Sequence, residues 1–234
     1  MIQEKYFMIC LQAAISKIPR NLLMCFVTLG ICVVLGMLAA LLRTYRLPVI
    51  SKLLDVFIAL CKAFPANLIL LICIMVYTYK FNDFAAFFHL KMSIRDVNLI
   101  YIAVIGLTIV SFPGISEVLR SGLIAIPRGQ FEAGYAVGMT AFQTFRDIIF
   151  PQMFRVVIPP LTNSILSLLK MTALVNVMGV SDILKSATDA ATESYAYLEA
   201  YTAAALGFWV LGIVIEQISK MLEKYFAKSV KQIA

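Results

Sequence analysis

Charge is scarce in this sequence. Aspartate, glutamate, lysine and arginine make up 14% of its 234 residues, against about a quarter in a soluble domain. With 62% hydrophobic residues beside it, that shortage excludes an ordinary water-soluble domain. Histidine occurs once, as His89, which excludes a histidine-built metal centre. The five cysteines, Cys10, Cys25, Cys32, Cys61 and Cys73, form no C-x-x-C pair. They read as small apolar side chains and not as ligands. No G-x-x-x-x-G-K-[ST] phosphate loop occurs, so the chain cannot bind ATP in that manner. Paired carboxylates in apolar runs and nucleophile motifs are also missing, which argues against a membrane-embedded enzyme.

What is present is a series of apolar runs of about 20 residues, the length that crosses a bilayer at ~1.5 Å rise per residue. They fall at about 21–42, 54–79, 97–119, 156–180 and 200–218. Backbone groups in lipid must be satisfied within the segment, and dyad-repeat strands are absent. The expected fold is therefore an all-α membrane protein, one domain over 1–234 with five transmembrane helices. Residues 1–20 hold Glu4, Lys5, Lys17 and Arg20 and lack a signal-peptide pattern. They read as a retained amphipathic helix at the interface. Pro113-Gly114 is expected to bend or break the third span.

The net charge of +7 points to cytoplasmic loops and anionic headgroups and not to nucleic acid. Arg43, Arg46, Lys52, Arg120, Arg128, Arg146, Arg155, Lys220, Lys224, Lys228 and Lys231 fall on one side of the membrane. Lys5, Lys17, Arg20, Lys80, Lys91, Arg95 and Lys185 fall on the other. The imbalance places the C-terminus in the cytoplasm and the N-terminus outside. The polar region 120–155 is then cytoplasmic.

Within that region lies "FEAGYAVGMTAFQTFRDIIFP", residues 131–151. Read as a helix over 131–142, it sets Phe131, Tyr135, Met139 and Phe142 on one face. A second short helix over about 141–149 is expected to stop at Pro151. Two short helices with an aromatic face and closely spaced glycines suit docking against a partner, since such a face has little reason to persist in water.

These residues resemble the cytoplasmic signature of ABC importer permeases: E-A-A, three residues, G, nine residues, I-x-L-P. Here it reads Glu132-Ala133-Gly134, Gly138, then Ile148-Ile149-Phe150-Pro151, at the same spacing. The third position is Gly134 where the pattern has alanine, and Phe150 stands for leucine. The flanks "SEVLRSGLIAIPRGQ" and "LTNSILSLLKMTALVNVMGVSDI" resemble those of the polar amino-acid uptake family, across about residues 20–225. The resemblance implies that Glu132, Ala133, Gly134, Gly138, Ile148 and Pro151 belong to a cytoplasmic coupling loop between the third and fourth spans. It further implies ABC ATPase subunits, a second permease and an extracytoplasmic substrate-binding protein as partners, in a bacterial inner membrane. ATP and magnesium would sit on the partner subunits, with no cofactor in this chain.

Ionisable residues inside spans are functional candidates. Asp55, Lys62 and Lys170 stand out. Lys62 to Pro65 reads "KAFP" where the family has R-G-T-P. Asn163, Ser167 and Lys170 make one polar stripe at i, i+4 and i+7, with Thr172 on a second edge. Such a stripe is expected to face the bundle interior. Lys62, Pro65, Asn163, Ser167, Lys170 and Thr172 are the substrate-pathway candidates. Where the family has N-E and K-D-T, this chain has Asn163-Ser164 and Lys170-Met171-Thr172. Without those carboxylates, a buried cationic side chain lacks its counter-charge. A neutral polar amino acid, cystine or an acidic amino acid fits better. The alternative is a stand-alone secondary transporter or channel with Asp55, Lys62 and Lys170 as a charge relay. The lack of an internal repeat counts against it.

Overall fold

The structure, a computed structural model, describes residues 3–44, 48–89 and 91–231. Among them every regular element is a helix. Helix α1 (Glu4–Ser16) leads into α2 (Ile18–Thr44), followed by α3 (Pro48–Ala63), α4 (Ala66–Phe87) and α5 (Leu99–Ile124). Then come α6 (Arg128–Ala136), α7 (Ala141–Thr144), a π-helical turn (Phe145–Ile149) and α8 (Phe150–Met171). A 3-10 stretch (Thr172–Met178), α9 (Ile183–Ala190) and α10 (Tyr197–Lys231) complete the chain. Five stretches among the described residues are long and apolar enough to cross a membrane: Glu4–Thr44, Ala66–Phe87, Leu99–Ile124, Ala141–Met178 and Tyr197–Tyr225.

The centre of the bundle is the pair α2 and α5. Lipid is as apolar as leucine, so helices in a bilayer associate through close packing more than through hydrophobic exclusion. Small residues therefore sit at the crossings. A Cβ on Gly36 would lie 3.2 Å from the Cα of Ser116, and one on Gly122 would run into Val157 of α8. Two apolar clusters flank this pair. One gathers Met24, Leu70, Leu107, Leu168, Leu169 and Val175. The other gathers Ile58, Ile115, Leu119, Ile149, Met153 and Val157, and carries Phe131 and Phe145 against it. The second cluster ties the polar 120–155 region to the bundle.

Several buried polar groups are paired in a way that fixes the chain's crossings. Asn21 donates from Nδ2 to Thr172 Oγ1 (2.9 Å) and accepts at Oδ1 from the backbone N–H of Ile183 (3.1 Å). One side chain thus joins α2, the 3-10 stretch and α9. Asp182 caps α9, accepting from the N–H groups of Lys185 (2.8 Å) and Leu184 (3.3 Å). Burial pushes its carboxyl above the usual aspartate range, and these donors pull partly the other way. The hydroxyls of Thr162 and Ser219 bond α8 to α10.

Two expectations about prolines are corrected and a third, at Pro113, is narrowed. The second apolar run is not one helix over 54–79, because it breaks at Phe64-Pro65 into α3 and α4. Pro65 sits at φ −59°, ψ 137° just before α4. It withholds an N–H and steers the preceding residue out of the helical region. The spanning helix there is α4. Pro113, by contrast, does not break α5, which runs on to Ile124. Nor does Pro151 stop a helix, as it lies at the start of α8. The π-helical turn before it widens the hydrogen-bond ladder where the proline has no N–H to offer. The helix expected over 1–20 runs from Glu4 to Ser16 and rests Cys10 and Ala14 against α9 and α10. Gln3 N–H donates to Glu199 of α10 at 2.9 Å.

Candidate functional site: a capped helical hairpin, an ion-pair cluster and a polar stripe

The coupling candidates fold into a tight hairpin of α6 and α7. Helix α6 ends in a motif that demands a left-handed residue. Met139 N–H reaches back to Gly134 O (3.0 Å) and Gly138 N–H to Tyr135 O (3.0 Å). This six-to-one and five-to-two pair of bonds is the Schellman arrangement. Gly138 adopts φ +80°, a conformation a Cβ penalises. The spacing from Glu132 to Gly138 is therefore the distance from a helix's middle turn to its stop. Glu132 and Ala133 of α6 are both exposed, and Glu132 also lines a cavity beside the hairpin. The helix expected over 131–142 thus ends at Ala136, and the single aromatic face it implied is divided. Phe131 packs inward, while Tyr135, Val137 and Phe142 are exposed.

Helix α7 restarts with a capping box. Thr140 Oγ1 accepts from Gln143 N–H (3.3 Å), and Gln143 Oε1 accepts from Thr140 N–H (2.8 Å). The two helices close on each other at Gly134 and Thr144, both buried. A Cβ on Gly134 would lie 2.6 Å from Thr144 Cγ2 and 2.7 Å from its Oγ1. The departure from alanine at this position thus has a physical partner ten residues on. Ile148 is half-buried, its neighbour Ile149 is fully buried, and Pro151 is exposed. Gln152 donates from Nε2 to Gln130 Oε1 (3.0 Å) and to Ile148 O (2.9 Å), tying the start of α6 to α8. Arg146 pairs with Asp147 at 2.6 Å and lies over the ring of Phe142.

Asp55 and Lys62 are not isolated charges. Arg43 pairs with Asp55 at 2.7 Å and lies 3.9 Å from Glu117, which pairs with Lys62 at 2.7 Å. The cluster joins α2, α3 and α5. Glu117, the member that completes it, was not singled out from sequence. Its signal was a carboxylate in an apolar run one helical turn before Arg120. Pro65 lies just beyond, at the break between α3 and α4.

Asn163, Ser167 and Lys170 do form one stripe on α8, but it does not turn into this chain's own core, as expected. All three are exposed, while Met153, Val157, Ile158, Leu168 and Leu169 of the same helix are buried. The apolar side takes the core, leaving the polar side free. Thr172 is separated from the stripe: it is wholly buried and bonded to Asn21 and to Leu169 O.

Beside the hairpin lies a cavity of about 540 Å³ between the ends of α2 and α5 and helix α6. Arg43, Arg120, Arg128 and Glu132 line it, with Leu41, Ile126 and Phe131 among its apolar walls.

Residues 32–228 match the family model described as the binding-protein-dependent transport system inner membrane component. This chain belongs to that family. Within it, the chain is an ABC importer permease of the polar amino-acid uptake group and a multi-pass inner-membrane protein. It is 28% identical over 214 residues to the probable amino-acid permease protein YxeN of Bacillus subtilis (strain 168), covering 92% of this chain and 91% of that protein. It is 30% identical over 196 residues to the probable amino-acid ABC transporter permease protein PatM of Vibrio harveyi, covering 84% and 83%. A solved amino acid ABC transporter, crystallised with histidines, superposes on the permease with a TM-score of 0.74. It has 25% identity, with 92% of this chain and 94% of that chain covered.

Proposed function

We propose that this permease is the membrane-spanning subunit of an ATP-driven amino-acid importer, and that its α6–α7 hairpin docks on an ATPase subunit. The observation that carries the reading is the hairpin itself. Its backbone is closed by the Gly138 stop and the Thr140 cap, it is anchored to the bundle through Ile149, and it leaves Val137 and Phe142 largely exposed, with Tyr135 half-exposed at the mouth of the cavity. An apolar face on a rigid, water-level element suits a protein groove. Glu132 and Ala133 are exposed on α6.

Two permeases pair, because one copy leaves the Asn163, Ser167 and Lys170 stripe uncovered. A polar stripe in a membrane is costly against lipid. Facing a second permease, this chain's own copy or a sister, it lines the substrate path. An extracytoplasmic binding protein delivers the ligand, and partner ATPases hold the ATP and magnesium. The stripe carries no carboxylate, so a neutral polar amino acid, cystine or an acidic amino acid is the favoured cargo. The C-terminus lies in the cytoplasm and the N-terminus outside, following the lysine and arginine balance.

The test is purification of this chain with its operon neighbours, followed by ATP hydrolysis with and without candidate amino acids. An ATPase that copurifies with wild type and loses its amino-acid response on Glu132→Lys supports the reading. A chain that purifies alone and transports in vesicles without ATP overturns it in favour of a secondary transporter.

A further inference from the structure

The cavity beside α6 is built for more than packing. Three guanidinium groups from three different elements reach it: Arg43 at the end of α2, Arg120 near the end of α5 and Arg128 at the start of α6. Their charges are unevenly met. Arg43, 8% exposed, spends Nε and one terminal nitrogen on Asp55, and its Nη1 has no partner. Among the described residues, Arg120 and Arg128 take part in no ion pair, and Arg120 Nε is buried without a partner. Glu132 is the one carboxylate in the lining. With Asp55 cancelling Arg43 and Glu132 cancelling one of the others, a single positive charge is left over. Buried donors without acceptors are unfavourable and invite one.

We infer that this cavity binds a phosphate-type anion, carried by a lipid headgroup or free in solution, which bridges α6 to α2 and α5. A phosphodiester carries the one negative charge that is missing. Arginine forks match phosphate oxygens in paired, directional bonds. The volume, about 540 Å³, far exceeds what one protein carboxylate fills and accommodates a headgroup. The rest of the lining is largely apolar, with Leu41, Ile124, Ile126 and Phe131 in it. That suits a headgroup with its glycerol and first methylenes better than a bare ion. Basic pockets between spanning helices at the cytoplasmic face hold anionic headgroups for this reason. Which leaflet supplies the lipid rests on the orientation proposed above, whereas the site itself does not. Since Arg128 starts the hairpin helix and Glu132 lies one turn on, an occupied site sets the angle at which α6 leaves the bundle.

The experiment is thermal unfolding of the full chain, with whatever subunits accompany it, in neutral detergent. The readout is a fluorescent tag followed by size exclusion. The probes are short-chain phosphatidylglycerol, short-chain phosphatidylcholine and inorganic phosphate. Phosphatidylglycerol is expected to raise the midpoint of wild type by several degrees, and phosphatidylcholine to leave it unchanged. Arg120→Gln and Arg128→Gln, each folded, are expected to lose at least half of that shift. Lys220→Gln, which removes an exposed lysine from a distant helix, keeps it. Inorganic phosphate producing the whole shift would assign the site to free phosphate, and no effect from it would assign it to lipid. No shift in wild type, an equal shift in both arginine variants, or the same loss in Lys220→Gln would overturn the site. So would a variant that sheds the ATPase subunit at every lipid composition, since a partner carboxylate would then be the occupant. The readout needs no transport, so it stands or falls apart from the importer reading.

Discussion

Gly138 is a single atom short of being replaceable. Its φ of +80° costs a β-branched residue about 1–2 kcal/mol, and Gly138→Val has no other way to close the Schellman bonds. The variant is expected to assemble in the membrane yet to lose most amino-acid-dependent ATP hydrolysis, measured on the purified complex. Gly134 fails for a different reason. Gly134→Ala drives a methyl into Thr144, an overpacking worth about 1–3 kcal/mol. Thr144→Ala clears the space, so the double variant is expected to be more stable than Gly134→Ala alone, read as a thermal midpoint in detergent. Asp182 gives a pH signature. Its folded pKa is raised by burial, so its contribution is full at low pH and lost as pH rises through the raised value. Asp182→Asn keeps an acceptor for the cap and removes the charge. It is expected to gain on wild type between acid and neutral pH, seen in midpoints taken on both sides of that window. At this scale the sequence revealed the Glu132–Gly138 spacing and its family. It also held the T-x-x-Q box at Thr140 to Gln143, which a capping rule would have found. The Gly134–Thr144 contact was not legible, because it is a meeting of two helices whose angle no local pattern states.

Among the elements, α3 lies at the edge of the bundle and is tied to it by both apolar and ionic contacts. Ile58 is its one buried apolar side chain among the described residues; Leu54 packs at the edge of the core and Phe57 against Phe112, and Asp55 on Arg43 and Lys62 on Glu117 add two ion pairs. The two pairs differ in kind. Arg43 is buried while Asp55 is half-exposed, and removing Asp55 leaves the guanidinium only Glu117, 3.9 Å away, to meet its charge, a larger loss than breaking a pair open to water on both sides. Lys62 and Glu117 are both about half-exposed, where a pair is worth about 0.2–1 kcal/mol. Asp55→Ala is therefore expected to lower the thermal midpoint well beyond Lys62→Ala. Equal losses would place the grip of α3 elsewhere. Hydropathy found the number of spanning segments, since length and apolarity determine it, but it placed the second at 54–79, twelve residues ahead of the start of α4. It misjudged the prolines, because whether a proline breaks a helix depends on what neighbours supply. At Phe64-Pro65 nothing continues the ladder, at Pro113 the packing with α2 holds it, and before Pro151 a π-helical turn absorbs it.

At the scale of the whole molecule, the described residues leave the polar stripe of α8 uncovered. Asn163, Ser167 and Lys170 lie exposed on α8 with no helix of the same chain over them. Ser167→Cys is expected to form a disulfide across the permease pair in oxidised membranes, or with a matched cysteine if the partner is a sister chain. A cysteine at Val34, an exposed position of α2 away from the stripe's own helix, is expected to form none. The sequence revealed the stripe but not its direction, which depends on which face of α8 the core claims first.

The run from Ala141 to Met178 is an unbroken helical rod of 38 residues. The hairpin is at one end and the polar stripe towards the other. At ~1.5 Å per residue, about 45 Å separates Ala141 from Lys170. A rod of that length works as a lever, so a tilt of about 10° at α7 sweeps Lys170 through roughly 8 Å. Pro159 and Pro160 withhold two N–H donors along it, which makes them its point of give. Motion at the hairpin and widening at the stripe are then two readings of one angle, shared out between an arm of roughly 27 Å before the prolines and one of roughly 15 Å after them.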